Sequence, residues 1–247
     1  MELKNNKILI TGGSSGLGLE MCRKLLQMGN QVIACSRSAE KLSEAKKQLP
    51  GLITCPFDIS EVEQCILLAE WIKKEHPDLN ILINNAAIVH NTQFTSEDEI
   101  IEKSQNEINT NLMAPIWLSR LLLPVLETQK NPAIINITTG LIYAPRADYL
   151  FYNASKSALH AFTQVLRIQM QEHPVKITEV MFPVVDTPWH KGNPPKIAIQ
   201  PDRAVREMLK GLEDDKPEIK VGGVKLLYWL ARIAPVFAIR KINNLKR

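Results

Sequence analysis

Short apolar runs alternate with longer segments in which apolar residues recur every three or four positions, and the alternation continues through most of the chain. Lys7 to Thr11 is the first run. It is followed by Gly12-Gly13-Ser14-Ser15-Gly16-Leu17-Gly18 and an amphipathic stretch carrying Leu19, Met21, Cys22, Leu25, Leu26 and Met28, which predicts strand, glycine turn and helix. Gln31 to Ser36, Leu52 to Phe57 and Leu79 to Ile83 read as further strands, separated by helices over Ala39 to Gln48 and Glu61 to Glu75. A long helical stretch, Glu97 to Leu126, contains Asn111 and precedes a fifth strand, Pro132 to Thr139. Phe151 to Glu172 predicts a helix and Val175 to Phe182 a sixth strand; a polar, proline-rich loop or lid, Pro183 to Gln200, comes next. Pro201 to Leu212 reads as helix and Glu218 to Gly222 as a short seventh strand. Strands alternating with helices at this spacing form right-handed βαβ crossovers, so the predicted class is α/β: a doubly wound parallel sheet of about seven strands with helices on both faces. Residues 1–223 make that domain, and residues 224–247 are a basic amphipathic tail, either part of it or peripheral.

Composition narrows the class further. With 247 residues, 45% hydrophobic and 23% charged, the chain can bury one large core in a single domain. Cysteines at 22, 35, 55 and 65 have no C-x-x-C spacing, which excludes a zinc ribbon and a secreted disulfide framework and leaves no metal site to expect. The polar start, Met1 to Lys7, has no signal-peptide character, and no apolar run reaches the roughly 18 residues of a spanning helix. A cytoplasmic location is expected. From Ile219 to the end there are seven basic residues and no acidic one, which leaves 23 basic against 26 acidic before it. The pI of 8.8 therefore reflects the tail, and nucleic-acid binding by the domain is not expected.

The candidate chemistry begins with Tyr152-Asn153-Ala154-Ser155-Lys156, where a phenol and an ammonium four residues apart project from one helical face. An ammonium beside a phenol favours the phenolate, which makes Tyr152 a candidate general acid or base. The glycine turn leaves backbone N–H groups at a helix N-terminus, where they and the helix dipole can hold a pyrophosphate. Its pattern is G-x-x-x-G-x-G, so context has to decide its meaning.

Several motifs in order supply that context, and with them the chain resembles the short-chain dehydrogenase/reductase family over essentially its whole length. Thr11-Gly12-x-x-x-Gly16-x-Gly18 is similar to the family's cofactor turn, and Asn84-Asn85-Ala86-Ala87 to its N-N-A-G element with alanine for glycine. Asn111 falls at the active-site asparagine, Tyr152 and Lys156 at the catalytic Tyr-x-x-x-Lys, and Thr139 where the family has a serine. Phe182 to Thr187 keeps the threonine of the family's Pro-Gly motif and loses the glycine; with Pro217 to Gly222 it looks most like the DltE-like branch. The resemblance implies a Rossmann-type fold and a nicotinamide cofactor held by Gly12, Ser14, Ser15, Gly16, Leu17, Gly18, Arg37, Asp58, Ile59, Asn85, Ala86, Tyr152, Lys156, Val185 and Thr187. It also implies hydride transfer between that cofactor and a small carbonyl or alcohol substrate. In that scheme Tyr152 moves the proton, Lys156 lowers its pKa, Thr139 orients the oxygen and Asn111 holds a water that connects Lys156 to solvent. Arg146, Tyr149 and Tyr143, in the loop before Tyr152, are candidate pocket residues.

At the end of the second strand stand Ser36, Arg37 and Ser38, with no carboxylate for a ribose 2′-OH, so NADP(H) is favoured and NAD(H) is the alternative. The competing functional classes are a silent dinucleotide-binding sensor or scaffold, and dehydratase or enoyl-reductase work on a thioester. Surplus apolar residues, Trp117, Leu121 and Leu122 on one helix and Phe162, Leu166 and Met170 on another, suggest a homodimer or homotetramer. In the tail, Leu226, Leu227, Leu230, Ile233 and Phe237 recur at helical spacing, and Lys225, Arg232, Arg240 and Arg247 would form a basic stripe on a continuous helix. Pro235 interrupts that helix, and two readings follow: peripheral contact with an anionic membrane, or an apolar cover for the substrate pocket or a partner subunit.

Overall fold

In the computed structural model, which describes residues 1–244, strand β1 (Lys7–Thr11) occupies the middle of the sheet and sends Ile8 and Ile10 to one face and Leu9 to the other. Both faces are covered, so strands this apolar can sit nowhere else. The chain runs outward through α1 (Gly16–Gln27), β2 (Gln31–Ser36), α2 (Ala39–Gln48) and β3 (Ile53–Pro56). It then crosses back through α3 (Val62–Glu75) to β4 (Ile81–Asn84) on the other side of β1. From there it continues through α4 (Ile100–Ile108), α5 (Ala114–Leu126), β5 (Ala133–Thr139), α6 (Leu150–Gln169), β6 (Lys176–Phe182), α7 (Pro201–Glu213) and β7 (Glu218–Lys220). The sheet order is β3-β2-β1-β4-β5-β6-β7, and every pairing is parallel. One hydrophobic cluster joins the sheet to α1, α2 and α7, and the other joins it to α3 and α5. The order reverses between β1 and β4, and open α/β sheets bind ligands at the carboxyl ends of such a pair.

The predicted long helix runs continuously from Ile100 to Leu126 but is not α-helical throughout. Between α4 and α5, residues Asn109–Met113 form a π-helical turn with Asn111 fully buried inside it. Pro115 accounts for the place: it has no N–H to offer the Asn111 carbonyl four residues earlier, and its ring would clash there. Two more expectations need correction. Leu122 and Met170 are core residues, so the apolar surplus of α5 and α6 is smaller than the sequence suggests. Trp117, Leu121 and Leu166 pack partly against the same cluster, and the exposed large apolar residues of α6 are Leu150, Val165 and Ile168.

The tail is also not one helix. Ala234 leaves helical geometry ahead of Pro235, dividing the tail into α8 (Val224–Ile233) and α9 (Pro235–Asn243). Lys225, Arg232 and Arg240 therefore do not share a straight stripe, and Arg247 lies outside the described residues.

Polar groups inside the sheet are paired in a ladder. The Asn84 amide donates to Asn136 Oδ1 at 2.8 Å, and Asn136 donates to Thr163 Oγ1 at 2.9 Å, joining β4, β5 and α6. Asn84 thus serves the core through its amide N–H, while its buried Oδ1 has no partner among the described residues. Asn136→Ala should cost about 1–3 kcal/mol for each partner left unpaired in the interior, read as a lower urea midpoint at unchanged denaturant slope.

Candidate active site

The glycine turn closes onto the switch point through hydrogen bonds. Thr11 Oγ1 accepts from the backbone N–H of Asn85 and of Ala86, both at 3.0 Å, and Asn85 Nδ2 donates to the Thr11 carbonyl at 2.8 Å. Close approach explains the glycines: a Cβ on Gly18 would stand 2.1 Å from the Gly12 carbonyl oxygen, and Gly12 itself has φ +68° against the Ala86 backbone. Ser15 stands in extended conformation just before α1, whose first turn has no acidic residue to offset the positive end of its dipole. Ser14 bonds Ser36 across the turn at 2.9 Å, and Leu17 packs against the core.

Beside this turn runs a cleft lined by Gly12, Ser36, Arg37, Asp58, Ile59 and Ala86. These residues come from the ends of β1, β2, β3 and β4. Arg37 is exposed at its edge and makes no ion pair among the described residues. Asp58 Oδ1 accepts from the N–H and hydroxyl of Ser60, an Asx-type turn that fixes the rim ahead of α3. A cradle of this form, with backbone amides at one end and a free guanidinium at the other, fits a dinucleotide.

The lid, residues 183–200, is pinned by the Asp186 N–H on the Ile199 carbonyl at 2.9 Å and by the Ile199 N–H on the Val184 carbonyl at 3.1 Å. Val185 is buried and Thr187 sits against Gly16, 3.5 Å from a Cβ placed there, so the lid meets the glycine turn. Trp189 stacks edge-on with Tyr149 at 5.7 Å, and Tyr149 with Tyr152 at 6.4 Å. An aromatic chain therefore links the lid to the candidate acid.

Thr139 ends β5, buried, with its Oγ1 accepting from the Leu141 N–H at 3.2 Å, and its hydroxyl lies near enough to Tyr152 on α6 to act on the phenol's pKa. One turn on, Lys156 is also buried; its ammonium donates to the Ile137 carbonyl at 2.8 Å. This arrangement corrects the expected electrostatics. Burial pushes the Tyr152 phenol up to about 12, with the Thr139 hydroxyl pulling the other way. Burial pushes Lys156 down to about 8, opposed by the Glu179 carboxylate. Tyr152 therefore keeps its proton through neutral pH.

The Asn111 side chain is fully engaged with its neighbours. Its Oδ1 accepts from the Ile88 N–H at 2.9 Å, while its Nδ2 donates to the Ile88 carbonyl at 2.9 Å and to Ser155 Oγ at 3.2 Å. Both ends of the amide are used in clamping the segment after β4 to α6, so the side chain positions backbone.

Two buried carboxylates were missed in the sequence. Glu179 accepts from Thr138 Oγ1 and pairs with His160 Nδ1 at 2.8 Å, beneath Lys156. Its signal was an acid in the apolar run Ile177 to Phe182. Glu107, on the last turn of α4, accepts from the His90 N–H at 2.8 Å and pairs with its ring at 2.9 Å, and burial raises its pKa. Of the loop residues, Arg146 pairs with Asp148 at 3.1 Å, and Tyr143 stacks on Tyr228 of α8.

Comparison with known proteins places this geometry in a family. The model for short chain dehydrogenases matches residues 6–197. The chain is 41% identical over 224 residues to the uncharacterized oxidoreductase DltE of Bacillus subtilis, covering 89% of each chain. It is 30% identical over 190 residues to a fatty acyl-CoA reductase of Acinetobacter baylyi, covering 75% of this chain and 64% of that one. Among solved structures, a short chain dehydrogenase from Burkholderia cenocepacia in complex with NADP shares the fold at TM-score 0.85 and 24% identity, covering 98% of this chain and 99% of that one. A short chain dehydrogenase/reductase from Burkholderia phymatum in complex with NAD does so at 0.82 and 16%, covering 100% and 98%.

The buried lysine generates a test of the electrostatics. Folded Lys156 titrates near 8, below the ordinary lysine value of 10.5, so between these values the unfolded chain binds more protons and stability rises with pH. The gap is worth about 3 kcal/mol, a destabilisation fully present below pH 8 and relieved as pH climbs towards 10.5. Urea denaturation should show wild type gaining on Lys156→Met by about that amount between pH 7 and pH 10.5. Parallel curves would place the lysine in a hydrated site.

Proposed function

Since the chain belongs to the short-chain dehydrogenase/reductase family and is an NAD(P)-dependent oxidoreductase, we propose that it reduces a small carbonyl substrate with NADP(H), using Tyr152 as the proton donor. The observation that carries the reading is the meeting of three groups at the carboxyl end of β5: Thr139 as its last residue, Tyr152 beside it on α6, and one helical turn on the buried ammonium of Lys156, held by the Ile137 carbonyl. A substrate oxygen between the two hydroxyls would be held by Thr139 and protonated by Tyr152 as charge develops on it. The phenol holds its proton at neutral pH, which is the form reduction needs. Lys156, kept in place by the Ile137 carbonyl, faces the same space with a cation that favours the departing proton's negative counterpart. Asn111 acts through Ile88 and Ser155, fixing the backbone on one side of the site and α6 on the other.

Bound across the carboxyl ends of the strands, the nicotinamide cofactor supplies the hydride. Gly12, Ser14, Ser15, Gly16, Leu17 and Gly18 would hold its pyrophosphate at the N-terminus of α1. Asp58 and Ile59 would flank the adenine, Asn85 and Ala86 its ribose, and Val185 and Thr187 the nicotinamide end. Arg37 would take the 2′-phosphate, since it is exposed at the cleft edge, makes no ion pair among the described residues, and no carboxylate stands beside it at the end of β2. The cofactors named for the two structural neighbours, NADP and NAD, are both consistent with this cleft. Homo-oligomer formation through the outer faces of α5 and α6 accords with the same reading.

Two experiments test it. A panel of aldehydes and ketones should yield at least one that drives NADPH oxidation, and Tyr152→Phe should lower that rate by at least about a hundredfold while nucleotide binding persists. Thr139→Ser should retain the rate and Thr139→Ala lose most of it; an undiminished Tyr152→Phe would remove Tyr152 from the role. Separately, Arg37→Ala should weaken NADPH binding by about ten- to a hundredfold and leave NADH nearly unchanged, as titrations of the purified protein would read. Equal loss for both nucleotides would contradict the phosphate assignment.

A further inference from the structure

Helices α8 and α9 each have an inner and an outer side. The inner side is committed: Val224 and Ala238 are buried, a Cβ on Gly140 would lie 3.0 Å from Val224, and Tyr228 stacks on Tyr143 at 5.1 Å. Asn243, at the end of α9, accepts from the Ala147 N–H at 2.7 Å and donates to the Pro145 carbonyl at 3.0 Å. These bonds tie the two helices to the loop between Thr139 and Tyr152, so the tail covers one side of the catalytic groups.

The outer side is apolar as well and largely exposed among the described residues, with Trp229 and Lys225 at the edge of a cleft that α7 and β7 line with Glu207 and Glu218. Leu226 is 74% exposed, Trp229 53%, Ile233 80%, Val236 62% and Phe237 55%, with Ile239 beside them. On α8, Leu226, Trp229 and Ile233 fall within about 60° of helical arc, and Val236 and Phe237 follow them on the first turn of α9. Single exposed apolar side chains are ordinary; a contiguous run of this kind marks an interaction surface. Its borders are basic. Lys225, Arg232, Arg240 and Lys241 are exposed along it, and no acidic residue follows Glu218 in the chain.

We propose that this face docks on an anionic lipid bilayer, with Leu226, Trp229, Ile233, Val236 and Phe237 entering the interface and the basic side chains meeting the headgroups. Charge decides between occupants. A second copy packed isologously would bring the same basic residues together about the two-fold axis, with no carboxylate in the tail to answer them. An anionic surface answers them all, and long Lys and Arg stems let the charges stay at headgroup level while the apolar side chains go deeper. Docking in this orientation sets the side of the domain that carries the Thr139–Tyr152 loop against the lipid.

The test needs neither substrate nor cofactor, so its outcome is independent of the proposed reaction. Full-length protein is sedimented with vesicles of equal parts phosphatidylcholine and phosphatidylglycerol, and with phosphatidylcholine alone. Sedimentation with the mixed vesicles at low salt, release at high salt and none with phosphatidylcholine alone is the expected result. Each Lys or Arg near the surface is worth about fivefold in partitioning, so Lys225→Glu/Arg240→Glu/Lys241→Glu should reduce binding by at least about a hundredfold. That variant should keep its melting temperature, since these side chains are exposed. Trp229 emission, isolated by comparison with Trp229→Phe, should shift to the blue on the mixed vesicles. The proposal is overturned if the folded charge-reversed protein binds as well as wild type. It is also overturned if wild type stays in the supernatant while light scattering reports an oligomer that Trp229→Glu dissociates.

Discussion

An ammonium cannot leave water without something in the interior answering its charge, and for Lys156 the answer comes from the Ile137 carbonyl at 2.8 Å and the Glu179 carboxylate beneath it. That requirement links β5, β6 and α6 more tightly than their apolar contacts alone would. Ile137 and Thr138 are adjacent on β5; one receives the lysine and the other donates to Glu179, which His160 completes from α6. Thr139, the next residue, then has only one place to go, and that place faces Tyr152. The site is thus a consequence of where a buried charge can be satisfied, at a cost in stability that hydrophobic residues of the same size would not incur.

Much of this was legible in the sequence because it depended on local rules. Strand and helix alternation follows from side-chain periodicity, the glycine turn from a residue with no Cβ, and the Tyr152–Lys156 pair from helical spacing. What escaped depended on contacts between elements. Whether Leu122 and Met170 face the core is decided by how α5 and α6 sit on the sheet, and a helical wheel carries no such information. The rise of the Tyr152 pKa was missed because a lysine at i+4 suggests the opposite sign; only the structure shows desolvation outweighing it, with the ammonium held by Ile137. Glu179 had a visible trace, an acid amid apolar neighbours, whereas Glu107 stands in a polar stretch that gave none, and their histidine partners are 19 and 17 residues away in sequence.

The tail illustrates how one segment can answer to two environments. Pro235 was visible as an interruption, yet its effect was to fold two short helices around a corner rather than to end the helix. Each half keeps an inward surface tied to the catalytic loop through Gly140, Tyr143 and Asn243. The outward surface is free to differ in composition without disturbing those contacts.

The π-helical turn at Asn109–Met113 has an effect beyond the residue it holds. A turn of this kind accommodates one extra residue, which rotates everything after it by about 100° relative to everything before. The stretch before it, α4, packs on α6, whereas the stretch after it, α5, packs on α3. A single continuous rod therefore behaves as two differently phased faces, and Pro115 is the gear that shifts between them. Replacing that proline by a residue with an N–H would do more than restore one helical bond at Asn111. It would invite the rod to re-phase, and the choice of neighbour along its whole second half would be at stake.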